Sequence, residues 1–241
     1  MTDTIHLSCE NKPLMIAHRG MSGLEKENTA SAFVAAGQRS HFGIETDVHR
    51  TADGRFIIIH DDNTKRVAGD EMIVEQTSFE TLRSLRLLDT DGVKGRRDLI
   101  LPSLEEYIGI CRKYGKVAVL ELKNHFDPED ADKIIEIIRG MDYLDQTIFI
   151  SFDLPNMIHI RQRLPEQRAQ FLVKNIYDGL LDTLLMYRLD LDIDYRGLTA
   201  EFVETLHRHE LQVNVWTVNT EEDALRMINW GVDFITTNIL E

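Results

Sequence analysis

Val117-Ala118-Val119-Leu120-Glu121-Leu122-Lys123 is a short, β-branched apolar run that ends in charge. Runs of this kind alternate with longer amphipathic stretches along almost the whole chain, which is the pattern of parallel strands joined by crossover helices. Working outward from residues 117–123, the other candidate strands are Leu14 to His18, Gly43 to Val48, Thr147 to Ser151, Gln170 to Val173, Leu189 to Ile193, Gln212 to Thr217 and Asp233 to Thr236. Between them fall helical stretches at Thr29 to Gln38, Ser103 to Tyr114, Pro128 to Arg139, Leu154 to Arg163, Leu180 to Tyr187, Ala200 to His209 and Glu221 to Trp230. Eight strands with intervening helices in 241 residues predict an α/β fold of the closed TIM-type (β/α)8 barrel kind, since an open doubly wound sheet usually has fewer strands. Asn28 is expected to cap the first helix through its side-chain oxygen, Pro102 to sit in the first turn of the second, and Thr220 to cap the last.

Two places break the rhythm. After a strand-like Phe56 to His60, residues Asp61 to Ile100 are polar, rich in Asp, Arg and Gly, and weakly periodic. They read as an insertion in one domain spanning 1–241. Barrel insertions usually emerge from strand-to-helix loops, so this one is expected to overhang the mouth where ligands bind; the plainer reading is a disordered surface loop. The second break is the end, because Glu241 follows the eighth strand by only a few residues and leaves no closing helix. The face such a helix would cover is then covered by the N-terminal segment, by a second copy in a homodimer, or left partly exposed.

Composition narrows the function classes. There are 41 acidic against 27 basic residues, and the net charge of −14 argues against nonspecific binding to nucleic acid or anionic membrane. An anionic ligand would need a local positive site. No basic start precedes the short apolar run Leu14 to Ala17, and no later run approaches the length of a membrane-spanning helix, so a cytoplasmic protein with no stable membrane insertion is expected. Cys9 and Cys111 are the only cysteines, too few for a disulfide framework and without zinc or redox spacing.

Barrel active sites are assembled from the C-terminal ends of several strands, and here those ends carry the polar residues. His18, Arg19 and Gly20 follow the first strand; Glu45 and Asp47 end the second; His60 and Asp61 end the added one; Glu121 and Lys123 end the next; Trp216 ends the seventh. Residues two apart share one face of a strand, so Glu45 with Asp47 and Glu121 with Lys123 can all point into one mouth. Three hard oxygen ligands with no cysteine nearby suit one divalent cation, Mg²⁺ or Ca²⁺, better than zinc or copper. Arg19 and Lys123 offer a phosphate a planar fork and a point charge, and His18 with His60 complete an acid and base pair. Taken singly each piece has a plainer explanation: Glu45 and Asp47 as a solvated turn, the histidines as structural, Glu121 and Lys123 as a surface pair, Trp216 as core. The joint arrangement on successive strand ends is what favours a site.

These motifs in their order resemble the glycerophosphodiester phosphodiesterase family, within the phospholipase C-like barrel phosphodiesterases. The match comprises His18-Arg19-Gly20, Glu27-Asn28-Thr29, Glu45-Thr46-Asp47-Val48, His60-Asp61, Leu101 to Glu106, Glu121-Leu122-Lys123, Trp216-Thr217-Val218-Asn219 and Asp233 to Asn238. The resemblance implies a barrel with a small subdomain inserted after the second histidine. It implies that Glu45, Asp47 and Glu121 bind a divalent cation, with His18 as general base and His60 as general acid. The expected substrate is a small glycerophosphodiester, cleaved to glycerol 3-phosphate and an alcohol, with Trp216 or Phe126 against the organic part. Lys26 stands where the family often has proline, and Asn238 where aspartate is commoner. The rival readings are a lysophospholipid or phosphoinositide-type phosphodiesterase, a non-catalytic phosphate-binding barrel, and a metal-dependent aldolase or isomerase using Lys123.

Overall fold

The computed structural model describes residues 3–9 and 12–241. Eight parallel strands close into a barrel: β1 (Leu14–Ala17), β2 (Gly43–Arg50), β4 (Val117–Leu122), β5 (Thr147–Ser151), β6 (Ala169–Val173), β7 (Asp190–Asp194), β8 (Val213–Trp216) and β9 (Phe234–Thr237). Each pairs with the next, and β1 closes the ring by pairing with both β9 and β2. β3 (Phe56–Ile58) is antiparallel to the far end of β2, with Val48 opposite Ile58 and Arg50 opposite Phe56. This hairpin lies outside the barrel count and delivers His60 to the mouth just past its end.

The helices are α1 (Ala30–Gly37), α4 (Leu104–Tyr114), α5 (Pro128–Gly140), α6 (Leu154–Arg163), α7 (Leu180–Tyr187), α8 (Ala200–Arg208) and α9 (Glu221–Trp230), with the short α2 (Lys65–Ala68) and α3 (Phe79–Ser84) in the insertion. The α4 helix shows why these stretches are helical. Ser103 accepts from Glu106 N while the Glu106 carboxylate accepts from Ser103 N, a reciprocal cap, and Gly115 ends the helix in the left-handed conformation at φ 62°. Leu104, Tyr107, Ile108 and Cys111 form its buried stripe, and Tyr107 Oη donates to Ile44 O at 2.7 Å, tying the helix to β2. The Tyr107 ring meets Phe33 of α1 edge-on, with centroids 5.1 Å apart.

Two expectations are corrected. The cap of α1 is Thr29, whose hydroxyl accepts from Ala32 N; Asn28 is freed for another task because its own backbone sits at φ 53° and turns its side chain inward. Pro102 lies before the Ser103 cap, outside α4, because the reciprocal cap fixes the helix start one residue later. The insertion carries a small core of its own, in which Val67, Val74, Phe79, Leu82, Leu85, Leu87 and Leu99 are buried against Ile57 and Ile59. Thr220 caps α9 as expected, accepting from Asp223 N.

The N-terminal segment runs beside the chain that follows β9. Leu7 N donates to Glu241 O at 2.7 Å, Ile5 N to Ile239 O at 3.0 Å and Glu241 N to Ile5 O at 2.8 Å, so residues 5–7 lie beside the chain after β9. The Glu241 carboxylate accepts from Thr4 Oγ1 and Ser40 N, at 2.8 and 2.7 Å. Among the described residues no helix is long and apolar enough to cross a membrane.

Leu82 is fully buried in the core of the insertion. Leu82→Ala is expected to cost about 2–5 kcal/mol there, read as a lower urea midpoint and as faster proteolytic cleavage within residues 61–100; an unchanged midpoint would mean that the subdomain contributes nothing to global stability.

Candidate active site

The site begins with the pairing of β2 and β4. Asp47 is the Cα partner of Glu121 across the parallel ladder, and the period-two alternation places Glu45 on the same face as Asp47. Ligand oxygens of Glu45, Asp47 and Glu121 lie within 4.8 Å of one another, and all three residues are buried. Burial and the adjacent Asp47 push Glu45 well above the usual carboxylate range, and the same causes raise Glu121 to about 7 against the pull of Lys123. Burial would raise Asp47 too, but Arg19 and Lys123 overcome it and hold this carboxylate below its usual range. Lys123 Nζ donates to Glu121 Oε1 at 2.8 Å and stands 3.6 Å from Asp47 Oδ1. Asn28 Nδ2 donates to Asp47 Oδ2 at 2.8 Å, and its own oxygen accepts from Thr46 Oγ1 at 2.7 Å.

This cluster fits a hard divalent cation. The donors are all carboxylate oxygens, and Asp47 Oδ1 is buried with no hydrogen-bond partner.

Both histidines have one ring nitrogen pinned. His60 Nδ1 donates to Asp61 Oδ1 at 2.7 Å, and His18 Nδ1 donates to Asn238 Oδ1 at 2.7 Å. In each ring Nε2 is left for the cleft, and that of His18 is 4.0 Å from Glu45 Oε2. Burial and then Arg19 push His18 down to about 4, so its imidazole is neutral at pH 7. Burial lowers His60 as well, while Asp47 and Asp61 favour its charged form.

Arg19 and Gly20 turn the chain sharply after β1, at φ 55° and 75°. A Cβ on Gly20 would lie 2.6 Å from the backbone carbon of Ala32, so only glycine lets this loop rest on α1. The turn directs Arg19 N to Glu45 Oε2 at 2.8 Å and Arg19 Nη1 to Glu27 Oε1 at 2.9 Å. Arg66 of the insertion completes the edge, donating to both Glu27 oxygens at 2.6 and 2.8 Å and to Asp61 Oδ2 at 2.7 Å. The same Asp61 orients His60, so the insertion positions a residue of the mouth.

The resulting cleft encloses ≈ 370 Å³ including its open mouth, and His18, Arg19, Glu45, His60, Glu121 and Trp216 line it together with Phe152, Asp192 and apolar side chains. Trp216 packs edge-on against the half-exposed Phe152, with centroids 5.7 Å apart. Phe126 is 5% exposed in the main core and does not line the cleft, because its backbone N donates to the buried Asn156 side chain and its ring packs on Phe56.

The structure therefore brings Glu45, Asp47, Glu121, Lys123, His18, His60, Arg19 and Trp216 into one mouth. Sequence reasoning assigned no site role to Asp61, Glu27, Arg66, Phe152 or Asp192, and read Asn28 as a cap. Of these, Glu27, Asn28 and Asp61 stood inside quoted motifs, so adjacency to Arg19 and His60 was the available signal. Nothing in the polar run of the insertion singled out Arg66.

Comparison with known proteins agrees with this architecture. Residues 18–241 match the glycerophosphoryl diester phosphodiesterase family. A glycerophosphodiester phosphodiesterase of Caldanaerobacter subterraneus subsp. tengcongensis is 30% identical over 233 residues, which covers 94% of each chain. One from Bacillus altitudinis is 28% identical, over 93% of this chain and 94% of the relative. Among solved structures, an Oleispira antarctica phosphodiesterase in complex with the product sn-glycerol-3-phosphate superposes with a TM-score of 0.86 at 26% identity, covering 94% of this chain and 93% of that one. A glycerophosphodiester phosphodiesterase from Parabacteroides distasonis gives a TM-score of 0.80 at 26% identity, over 96% and 94% of the two chains. With its barrel, its inserted subdomain and its ordered strand-end residues, this chain belongs to the glycerophosphoryl diester phosphodiesterase family.

Proposed function

We propose that the protein hydrolyses glycerophosphodiesters to glycerol 3-phosphate and an alcohol, with one divalent cation and two histidines acting as general base and acid. The observation that carries this reading is the convergence of three buried carboxylates with two histidines whose Nδ1 atoms are already engaged, all on one cleft. Glu45, Asp47 and Glu121 would hold Mg²⁺ or Ca²⁺, which when bound draws charge from a nonbridging phosphate oxygen. Arg19 and Lys123 add positive charge beside the same carboxylates and neutralise what builds on phosphate during attack. Trp216 lies against the organic part of the diester.

The partners of the two histidines support their division of labour. Burial and then Arg19 keep His18 neutral, and the amide oxygen of Asn238 behind it holds the tautomer with Nε2 free, so His18 takes a proton from the attacking oxygen. Burial lowers His60 too, but a carboxylate behind its Nδ1, where His18 has an amide, opposes that and suits His60 to carry the proton given to the departing alkoxide. As the new P–O bond forms, the old one to the alcohol breaks, and each histidine finishes in the other's starting protonation state. The polar, Arg-clamped insertion edge favours a small polar diester over a lysophospholipid.

Release of glycerol 3-phosphate from glycerophosphocholine and glycerophosphoethanolamine should require added Mg²⁺ or Ca²⁺, stop with chelator, and fall about 10²–10⁴-fold in His18→Ala. No release from either diester by folded, metal-loaded protein would remove the proposal.

The acid and base can be told apart by leaving group. His60→Ala should lose about 10²–10⁴ in kcat on glycerophosphocholine but far less on bis(p-nitrophenyl) phosphate, whose phenolate leaves without a proton, whereas His18→Ala should lose activity on both. Equal losses for His60→Ala on the two substrates would contradict its assignment as the acid.

A further inference from the structure

The interior of the barrel is unevenly filled. Below Glu121, the inward positions of β1, β4 and β5 are apolar, with Ile16, Val117, Val119, Ile148 and Ile150 in one buried cluster that Leu172 and Phe234 join. On β6 to β9 they include Gln170, Asp192, Asn214 and Thr236, none more than 3% exposed. Three of these satisfy one another: Thr236 Oγ1 donates to Asn214 Oδ1 at 3.1 Å, and Asn214 Nδ2 donates to Gln170 Oε1 at 3.2 Å. Asp192 is the register partner of Asn214 and sits beside this chain of bonds, where the Asn214 side chain favours its charged form against burial. Its Oδ1 is sealed from solvent with no hydrogen-bond partner, yet the side chain lines the cleft that holds His18, Glu121 and Trp216. Trp216 Nε1 is buried and unpartnered in the same way. In the β7–β8 register Asp192 is opposite Asn214 and Asp194 opposite Trp216, so the indole stands one inward position nearer the mouth than the Asp192 carboxyl.

Burial and then Glu121 push Asp192 well above the usual carboxylate range, but its value to a ligand does not depend on its charge. An ionised carboxylate accepts from a hydroxyl, and a neutral carboxyl both donates and accepts. An indole N–H can only donate, and a hydroxyl oxygen takes it. Native interiors seldom leave such atoms unpaired, and at the wall of a cleft a bound ligand can supply the missing partner.

We propose that Asp192, with the indole N–H of Trp216, forms a hydroxyl-reading subsite that selects the glycerol moiety of the diester. This deepens the phosphodiesterase reading of the same cleft and rests on it for the identity of the ligand. A glycerol moiety brings two hydroxyls, each with a donor and an acceptor. An alkyl group of the same length leaves both buried protein atoms unpaired, which is the situation in which a polar pocket discriminates most strongly against a deoxy analogue.

Calorimetry with Mg²⁺-loaded protein separates the possibilities, using sn-glycerol 3-phosphate against propyl phosphate, which lacks both hydroxyls. The wild type should prefer glycerol 3-phosphate by at least about tenfold. Asp192→Leu should reduce that preference to within about twofold, leave propyl phosphate binding nearly unchanged, and raise the melting temperature because an uncompensated buried carboxyl is replaced by an apolar group. Asp192→Asn, which keeps an acceptor and a donor in place, should retain the preference. No preference in the wild type, no binding of either ligand, or an equal loss for both ligands in Asp192→Leu with a lower melting temperature would overturn the subsite. Turnover of glycerophosphocholine by the wild type, measured alongside, reports on the reaction itself: preference without turnover keeps the subsite and removes the reaction, and turnover without preference does the reverse.

Discussion

Mutual repulsion of three buried carboxylates is the constraint around which this mouth is built. The ladder between β2 and β4 sets Asp47 opposite Glu121, and Glu45 follows on the same face. With ligand oxygens within 4.8 Å, two unit charges at an effective dielectric near 20 repel by on the order of 3 kcal/mol per pair. No local device in either strand relieves this. Relief comes from Arg19 after β1, from Lys123 after β4 and from the Asn28 amide before α1, each reaching Asp47 from a different part of the chain. The left-handed backbone at Arg19 and Asn28 accompanies the same need, since both side chains turn inward to Asp47.

The histidines sit at the edge of that field and are differentiated by what lies behind them. Asp61 and Asn238 both accept from Nδ1 at 2.7 Å, so the two rings are oriented alike but not stabilised alike when protonated. Asp61 is in turn gripped by Arg66, which also grips Glu27, the partner of Arg19. The insertion is thereby part of the electrostatic scaffold of the mouth. Its small core against Ile57 and Ile59 keeps Arg66 in place, because the strand that carries those residues is the one that leads to His60.

Much of this was legible along the chain. All eight barrel strands and the seven helices between them were readable from period and punctuation, as was the grouping of Glu45 with Asp47, because spacing by two puts side chains on one face whatever surrounds the strand. The roles of Asn28, Arg66, Asn238 and Asp192 were not readable in this way. Asn28 has the residue type and position of a helix cap, and only the observed φ of 53° shows that it faces Asp47 instead. Arg66 lies in a run of charges that looks like a solvated loop, and its partners are 39 and 5 residues away.

What the sequence determined by itself, then, were the local quantities: which stretches extend, which coil, and which side chains share a face within one strand. These follow from backbone periodicity and from caps that act over three or four residues. Only the tertiary structure decided which strand ends meet, how the N-terminal segment lies beside residues 239–241, and which buried polar atoms are left without partners. Those outcomes depend on the stagger of a closed barrel, in which residues such as Asp192 and Glu121 come to share one cleft although 71 positions separate them.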